Sequence, residues 1–140
     1  MTMGFNKRIL PVIFLLCIWL CGCRNEVPAP EASVVYVTQV NIDYQYRQSH
    51  LRRSYTNTDK MDVFLYYLYD LSPHGQPEED PEQIQGDSCK ITVTLSNGER
   101  RIYRQIGSQY LSVDSHPWQK ISETKGALLY HLVNHIESDL

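Results

Sequence analysis

His131 and His135 are the pair in this 140-residue chain best spaced to hold an ion, because residues four apart lie on one face of a helix. No H-E-x-x-H sequence surrounds them, and a third ligand has to come from His116, His74 or an acid elsewhere. Asp114, Ser115 and His116 supply the residue types of a hydrolytic triad, but in adjacent positions. A working triad needs a nucleophile, a base and an orienting acid converging from separate places. The G-x-S-x-G turn that exposes a nucleophilic serine is also missing. His131 and His135 with His116 and Asp114 therefore define the one enzyme reading on offer, a small hydrolase or metal-dependent enzyme. The pair falls on the polar flank of its helix, so the sequence leads us to expect no catalytic residue, no metal and no cofactor.

Other residues have binding rather than catalytic character. Tyr66, Tyr67 and Tyr69 cluster on one predicted helix, and Arg101 and Tyr103 fall on the polar face of a predicted strand. Tyrosine carries an apolar ring and a polar tip, which suits contact with a protein, peptide or cell-wall polymer. Arg47, His50, Arg52 and Arg53 form a local positive cluster. Its types suit a phosphate or an anionic polymer, but the simpler expectation is a solvated connection over residues 48–57 whose arginines meet Glu78, Glu79 and Asp80. Those acids lack the D-x-D-x-D-G order of a calcium loop.

The elements that must position these residues are legible from periodicity. Over residues 34–47 the even positions Val34, Tyr36, Val40, Ile42, Tyr44 and Tyr46 are apolar or aromatic, and the odd ones turn polar from Gln39 onward. Period two predicts a strand buried on one face. Met61, Phe64, Leu65, Leu68 and Leu71 recur at helical spacing, predicting a helix over 58–71 with Asn57, Thr58 or Asp59 as its cap. Residues 72–88 hold three prolines and read as a long loop.

Asn97-Gly98 between two alternating runs predicts a β-hairpin of residues 89–95 and 100–106. With those two as the loop, Val93 opposes Ile102 and Cys89 opposes Ile106. That pairing turns Cys89 inward, as an inert small hydrophobe. It leaves Arg100 and Arg104 at the rim of the apolar face. A short strand over 109–113 follows, then Trp118 and Ile121 as plugs at one end of the core. A last helix runs from Ser122 or Thr124 to about Glu137, with Leu128, Leu129, Leu132, Val133 and Ile136 as its stripe. The order β-α-β-β-β-α predicts an α+β fold, a mainly antiparallel sheet with both helices packed on one face. The opposite face carries Gln39, Asn41, Thr92 and Thr94 alongside Arg101 and Tyr103.

The start of the chain speaks of location. Lys7 and Arg8 precede an apolar run, Ile9 to Leu20, that is shorter than the roughly 20 residues of a membrane-spanning helix. Leu20-Cys21-Gly22-Cys23 ends it. This segment resembles a bacterial lipoprotein signal peptide with its lipobox, Leu20 and Gly22 standing at the conserved positions before Cys23. The resemblance implies that residues 1–22 are removed and that Cys23 is lipidated. The protein would then be held by that lipid to a cell membrane, facing outside the cytoplasm. Acyl chains contribute about 0.8 kcal/mol for each buried CH₂, and more than one chain anchors stably. Residues 23–33, with Pro28 and Pro30, read as the acylated cysteine and a flexible tether, and residues 34–140 as a single domain.

Processing changes the bounds. The whole chain has a formal net charge of −3; without Lys7 and Arg8, 11 basic residues face 16 acids, for −5. That argues against a nucleic-acid partner. Cys17 and Cys21 leave with the signal and Cys23 is lipidated, so Cys89 is the lone remaining thiol and the domain relies on its core. Together these features predict a membrane-anchored, non-enzymatic binding or accessory module.

Overall fold

The computed structural model describes residues 33–139; Cys23 and the signal segment lie outside them. Strand β1 (Val37–Tyr46) buries Val40, Ile42 and Tyr44 on one side, as its alternation requires. A two-residue turn at Arg47-Gln48, with Arg47 at φ +52°, returns the chain into β2 (Ser49–Tyr55). Helix α1 (Thr58–Tyr69) follows, its first turn capped by the Asn57 Oδ1, which accepts from the Lys60 N–H at 3.2 Å. A single 3₁₀ turn, Pro81–Gln83, interrupts the long connection to β3 (Ser88–Leu95). Strands β4 (Arg100–Ile106), β5 (Tyr110–Val113) and β6 (Gln119–Lys120) complete the sheet, and α2 (Glu123–His135) is followed by a short tail. Neither helix is long and apolar enough to cross a membrane.

The architecture is α+β: a six-stranded antiparallel sheet in the order β2-β1-β3-β4-β5-β6 with two helices. Both helices pack on one face. Tyr55 meets Phe64 of α1 at 4.6 Å between ring centroids, and Tyr44 meets Tyr130 of α2 at 5.0 Å. Met61, Phe64, Leu68 and Leu71 from the first helical segment join Leu129, Tyr130 and Val133 of α2 over the sheet's inward residues. The strands, both helices and this core all fall within Val35–Leu140, a compact unit. Buried tyrosines keep their hydroxyls bonded, as burial demands: Tyr55 donates to the Ile136 carbonyl at 2.7 Å and Tyr130 to the Asp87 carbonyl at 3.2 Å.

Three expectations are corrected. Residues 49–55 are an edge strand rather than a polar connection; only Leu51 and Tyr55 turn inward as hydrophobes, too weak an alternation to announce a strand. The hairpin loop has three residues, not two. Leu95 N–H donates to the Glu99 carbonyl, Gly98 N–H donates to the Leu95 carbonyl, and Gly98 takes φ +86°, a turn followed by a left-handed residue. Cys89 consequently opposes Gln105, Ile91 opposes Tyr103 and Val93 opposes Arg101. A shift of one residue swaps the faces of β4, so Tyr103 and Gln105 are buried under the helices while Arg104 joins the opposite face. On α2, Leu128 is exposed and Tyr130 takes its place in the core, against Tyr44.

Cys89 stays buried, 2% exposed, despite the changed partner. Burial foremost, then the Asp43 charge, pushes its thiol up to about 12. Maleimide labelling mapped by peptide mass is expected to leave Cys89 unmodified in the folded protein and to modify it on unfolding. Cys89→Ala should cost about 1 kcal/mol. Rapid modification of native Cys89 would contradict its burial.

Candidate functional site

The helix-free face of the sheet carries the most connected polar surface. Antiparallel pairing sets Arg52 opposite Asp43, Asp43 opposite Lys90, and Lys90 opposite Arg104, so these four form one row across β2, β1, β3 and β4. Strands lie about 4.8 Å apart, which gives the row a span of about 14 Å. The next row along the strands is uncharged: Ser54, Asn41 and Thr92. Gln39 extends this surface, its Nε2 donating to Ser54 Oγ at 2.9 Å.

Two hollows lie along this face and share Asp43 and Lys90. One, about 370 Å³, is lined by Asn41, Asp43, Arg52, Ser54, Lys90 and Thr92 among others. The second, also about 370 Å³, takes in Asp43, Gln45, Glu82, Lys90, Arg104 and Trp118. Together they make a shallow trough from the β2 edge to Trp118. Arg104 lies over the Trp118 ring at 5.1 Å, and Glu82 receives both the Trp118 indole N–H at 3.3 Å and the Arg104 guanidinium at 3.5 Å. Trp118 is thus part of the trough wall, not a plug of the core, a role that falls to Ile121 alone. Beyond it, Tyr110 and Ser112 on this face are buried, so the trough has a closed end.

The charges in the trough differ in how fully they are engaged. Asp43 binds His50 Nε2 and lies 3.7 Å from Arg52. Lys90, between Asp43 and Arg104 in the row, has no ion pair among the described residues. Exposed pairs of this kind contribute only about 0–1 kcal/mol to folding, so a ligand can compete for them at small cost. The arrangement offers amide, hydroxyl, carboxylate, ammonium and guanidinium groups to a polar ligand lying across the strands.

Outside the trough, the sequence-derived candidates fall into separate groups. Tyr66 and Tyr69 are exposed on α1, and Tyr67 meets Tyr66 edge-on at 5.2 Å between ring centroids. Tyr103 is buried 6.5 Å from the Tyr69 ring, and Arg101 opposes Val93 with its guanidinium 3.9 Å from Asp114. Neither Arg101 nor Tyr103 shares the face of Asn41 and Thr92, because of the changed hairpin pairing. His131 and His135 stack on each other at 3.8 Å, and the His135 Nδ1 bonds the His131 carbonyl. His116 turns its Nδ1 to the Val113 carbonyl, and the Asp114 carboxylate accepts the Ile102 N–H at 2.8 Å. Among the described residues no three His, Cys, Asp or Glu side chains gather as a metal site.

No family model, curated protein or solved structure matches this chain.

Sequence reasoning found Gln39, Asn41, Thr92 and Thr94 on the open face but missed Asp43, Arg52, Ser54 and Lys90 as a set, and Arg104 altogether. One signal was present. The two-residue hairpin loop forced Arg100 and Arg104 onto the apolar face, a conflict that the three-residue loop removes.

Proposed function

We propose that this chain is a lipid-anchored extracytoplasmic protein that binds rather than catalyses. It would meet a protein, peptide or cell-wall polymer through the helix-free face of its sheet. The observation that carries the reading is the conjunction at the N-terminus: Lys7 and Arg8, a short apolar run, and Leu20-Cys21-Gly22-Cys23 ahead of a proline-bearing tether. An acylated Cys23 would fix the chain to a membrane, facing outside the cytoplasm, and the tether would give the following unit reach. Support for binding comes from the trough, where Lys90 has no ion pair among the described residues and stands amid groups already exposed to water.

Cys23→Ser is expected to release the protein from the membrane fraction or to leave an uncleaved precursor. Intact-mass analysis of the native protein should find a lipid adduct on Cys23 as the first residue; an unmodified Cys23 would sink the anchoring. The anchored form should also capture a partner from detergent-solubilised cells, with capture reduced by Lys90→Glu.

A further inference from the structure

We propose that the edge strand of the sheet, β2, accepts an extended acidic segment of a partner protein as an added strand. This rests on the binding-module reading and names both the edge and the chemistry of the partner. In an antiparallel pair, successive residues alternate between backbone groups bonded to the neighbour and backbone groups turned away from it. At Ser54 the outward groups are visible by their partners. Its N–H donates to Ser138 Oγ at 2.9 Å, and its carbonyl accepts from Ser138 Oγ and from the Asp139 N–H, both at 2.9 Å. Arg52 and His50, two and four residues earlier in the same strand, share that phase. Their outward N–H and C=O groups have no backbone partner beyond the strand pairing among the described residues.

The two edges of the sheet differ. At β6 the chain covers itself: His74 N–H donates to the Lys120 carbonyl at 2.8 Å, and Lys120 N–H to the Gly75 carbonyl at 2.9 Å. At β2, among the described residues, the chain's own tail bonds the outward backbone groups of Ser54 and the hydroxyl of Tyr55. That tail lies against the end of the edge, and its acid is held just beyond β2. Asp139 accepts the Thr56 and Asn57 N–H groups at 2.9 and 2.8 Å and pairs with Lys60 at 2.7 Å. Those contacts, the Lys60 hydrogen bond first, hold its carboxyl down at about 2.

Charge selects the occupant. Arg47, Arg52 and Arg53 lie on β2 and its turn, with His50 beside them, and Asp43 is the one acid paired to any of them among the described residues. Two of the three acids expected to neutralise them are engaged elsewhere: Glu78 with Lys120, and Asp80 with the Glu82 N–H. The Arg53 Nε is buried with no hydrogen-bond partner among the described residues. A second copy pairing β2 against β2 would bring these arginines together, which disfavours it. An incoming strand with acids at alternate positions would instead set its carboxylates near Arg52 on the trough side, while its backbone bonds His50 and Arg52.

The test is amide NMR on the full chain in non-ionic detergent with a short synthetic peptide alternating Glu with Val and Thr. Shifts should concentrate on Ser49–Tyr55, and the His50 and Arg52 amides should exchange about tenfold more slowly at saturation. Arg52→Glu should weaken binding roughly tenfold. His50→Pro should abolish it, because it removes an outward N–H that β1 does not use while leaving all three arginines. Methylating the pairing-side amides of the peptide should abolish binding as well, a control independent of how the proline variant folds. Binding that survives either change, shifts centred on Asn41, Lys90 and Thr92, or no shifts at all would overturn the proposal. Shifts in the trough would still leave the binding-module reading standing, and an unlipidated Cys23 would remove the anchoring alone.

Discussion

Gly126→Ala should destabilise the protein by about 3 kcal/mol and lower Tm by roughly 15 °C, although alanine is the better helix former by about 1 kcal/mol. Gly126 lies in the first turns of α2, where the helix crosses the Gly107-Ser108 turn between β4 and β5. A Cβ there would stand 2.1 Å from the Ser108 carbonyl oxygen and 2.8 Å from its carbon. Both are backbone atoms, so no side-chain rotation relieves the clash and the helix itself must lift. Leu129, Tyr130 and Val133, one to two turns later, would lose packing against the sheet with it. Gly86→Ala is the control, since a Cβ there meets nothing within 4 Å. Thermal unfolding in which both variants match the wild type would show that α2 does not make this close approach.

Gln105→Glu is expected to cost about 4 kcal/mol at neutral pH, because it buries a carboxylate with no cation to meet it. Gln105 is 1% exposed, and its Nε2 donates to the Gly107 and Gly126 carbonyls, each at 3.1 Å. The amide therefore ties the β4–β5 turn to α2 at the place where Gly126 permits contact, and its Oε1 is buried without a partner among the described residues. A carboxylate would face two carbonyl oxygens with no proton to share. The folded state would favour the protonated acid and raise its pKa above the unfolded value of about 4.3. The penalty is then full above the raised pKa, shrinks as pH falls through it, and reaches its minimum below about 4.3. Urea unfolding of variant and wild type at about pH 7 and about pH 4 should show the gap narrowing on acidification. An unchanged gap would mean that the site admits water or a counter-charge.

Both effects arise at a contact between β4 and α2 that local pattern does not encode. Gly126 reads in sequence only as a weak spot in a helix. Gln105 reads as a polar residue in a strand whose composition, Arg-Arg-Ile-Tyr-Arg-Gln-Ile, supports either face. With Ile102 and Ile106 in one phase and Tyr103 in the other, hydrophobic alternation does not decide which side is buried. The loop decides, and Asn97-Gly98 serves equally as the whole of a two-residue turn or as the end of a three-residue one.

What the sequence by itself determined is what short-range periodicity and chain punctuation encode. Val40, Ile42 and Tyr44 alternate strongly enough to define β1, and Met61, Phe64 and Leu68 recur at a spacing that only a helix brings to one side. From these came the α+β class and the two helices over one face of an antiparallel sheet, because each one-sided element must bury its apolar side against another. The tertiary structure alone decided that residues 49–55 form a strand. Arg52 and Arg53 are tolerable there because β2 is an edge, where long charged side chains reach water and keep like strands apart. It alone decided the pairing of β3 with β4 as well, and so placed Arg104 beside Lys90 in the trough and Tyr103 beneath the helices. A strand's face is fixed by the sum of its packing against helices distant in sequence, and a slip of one residue reverses it.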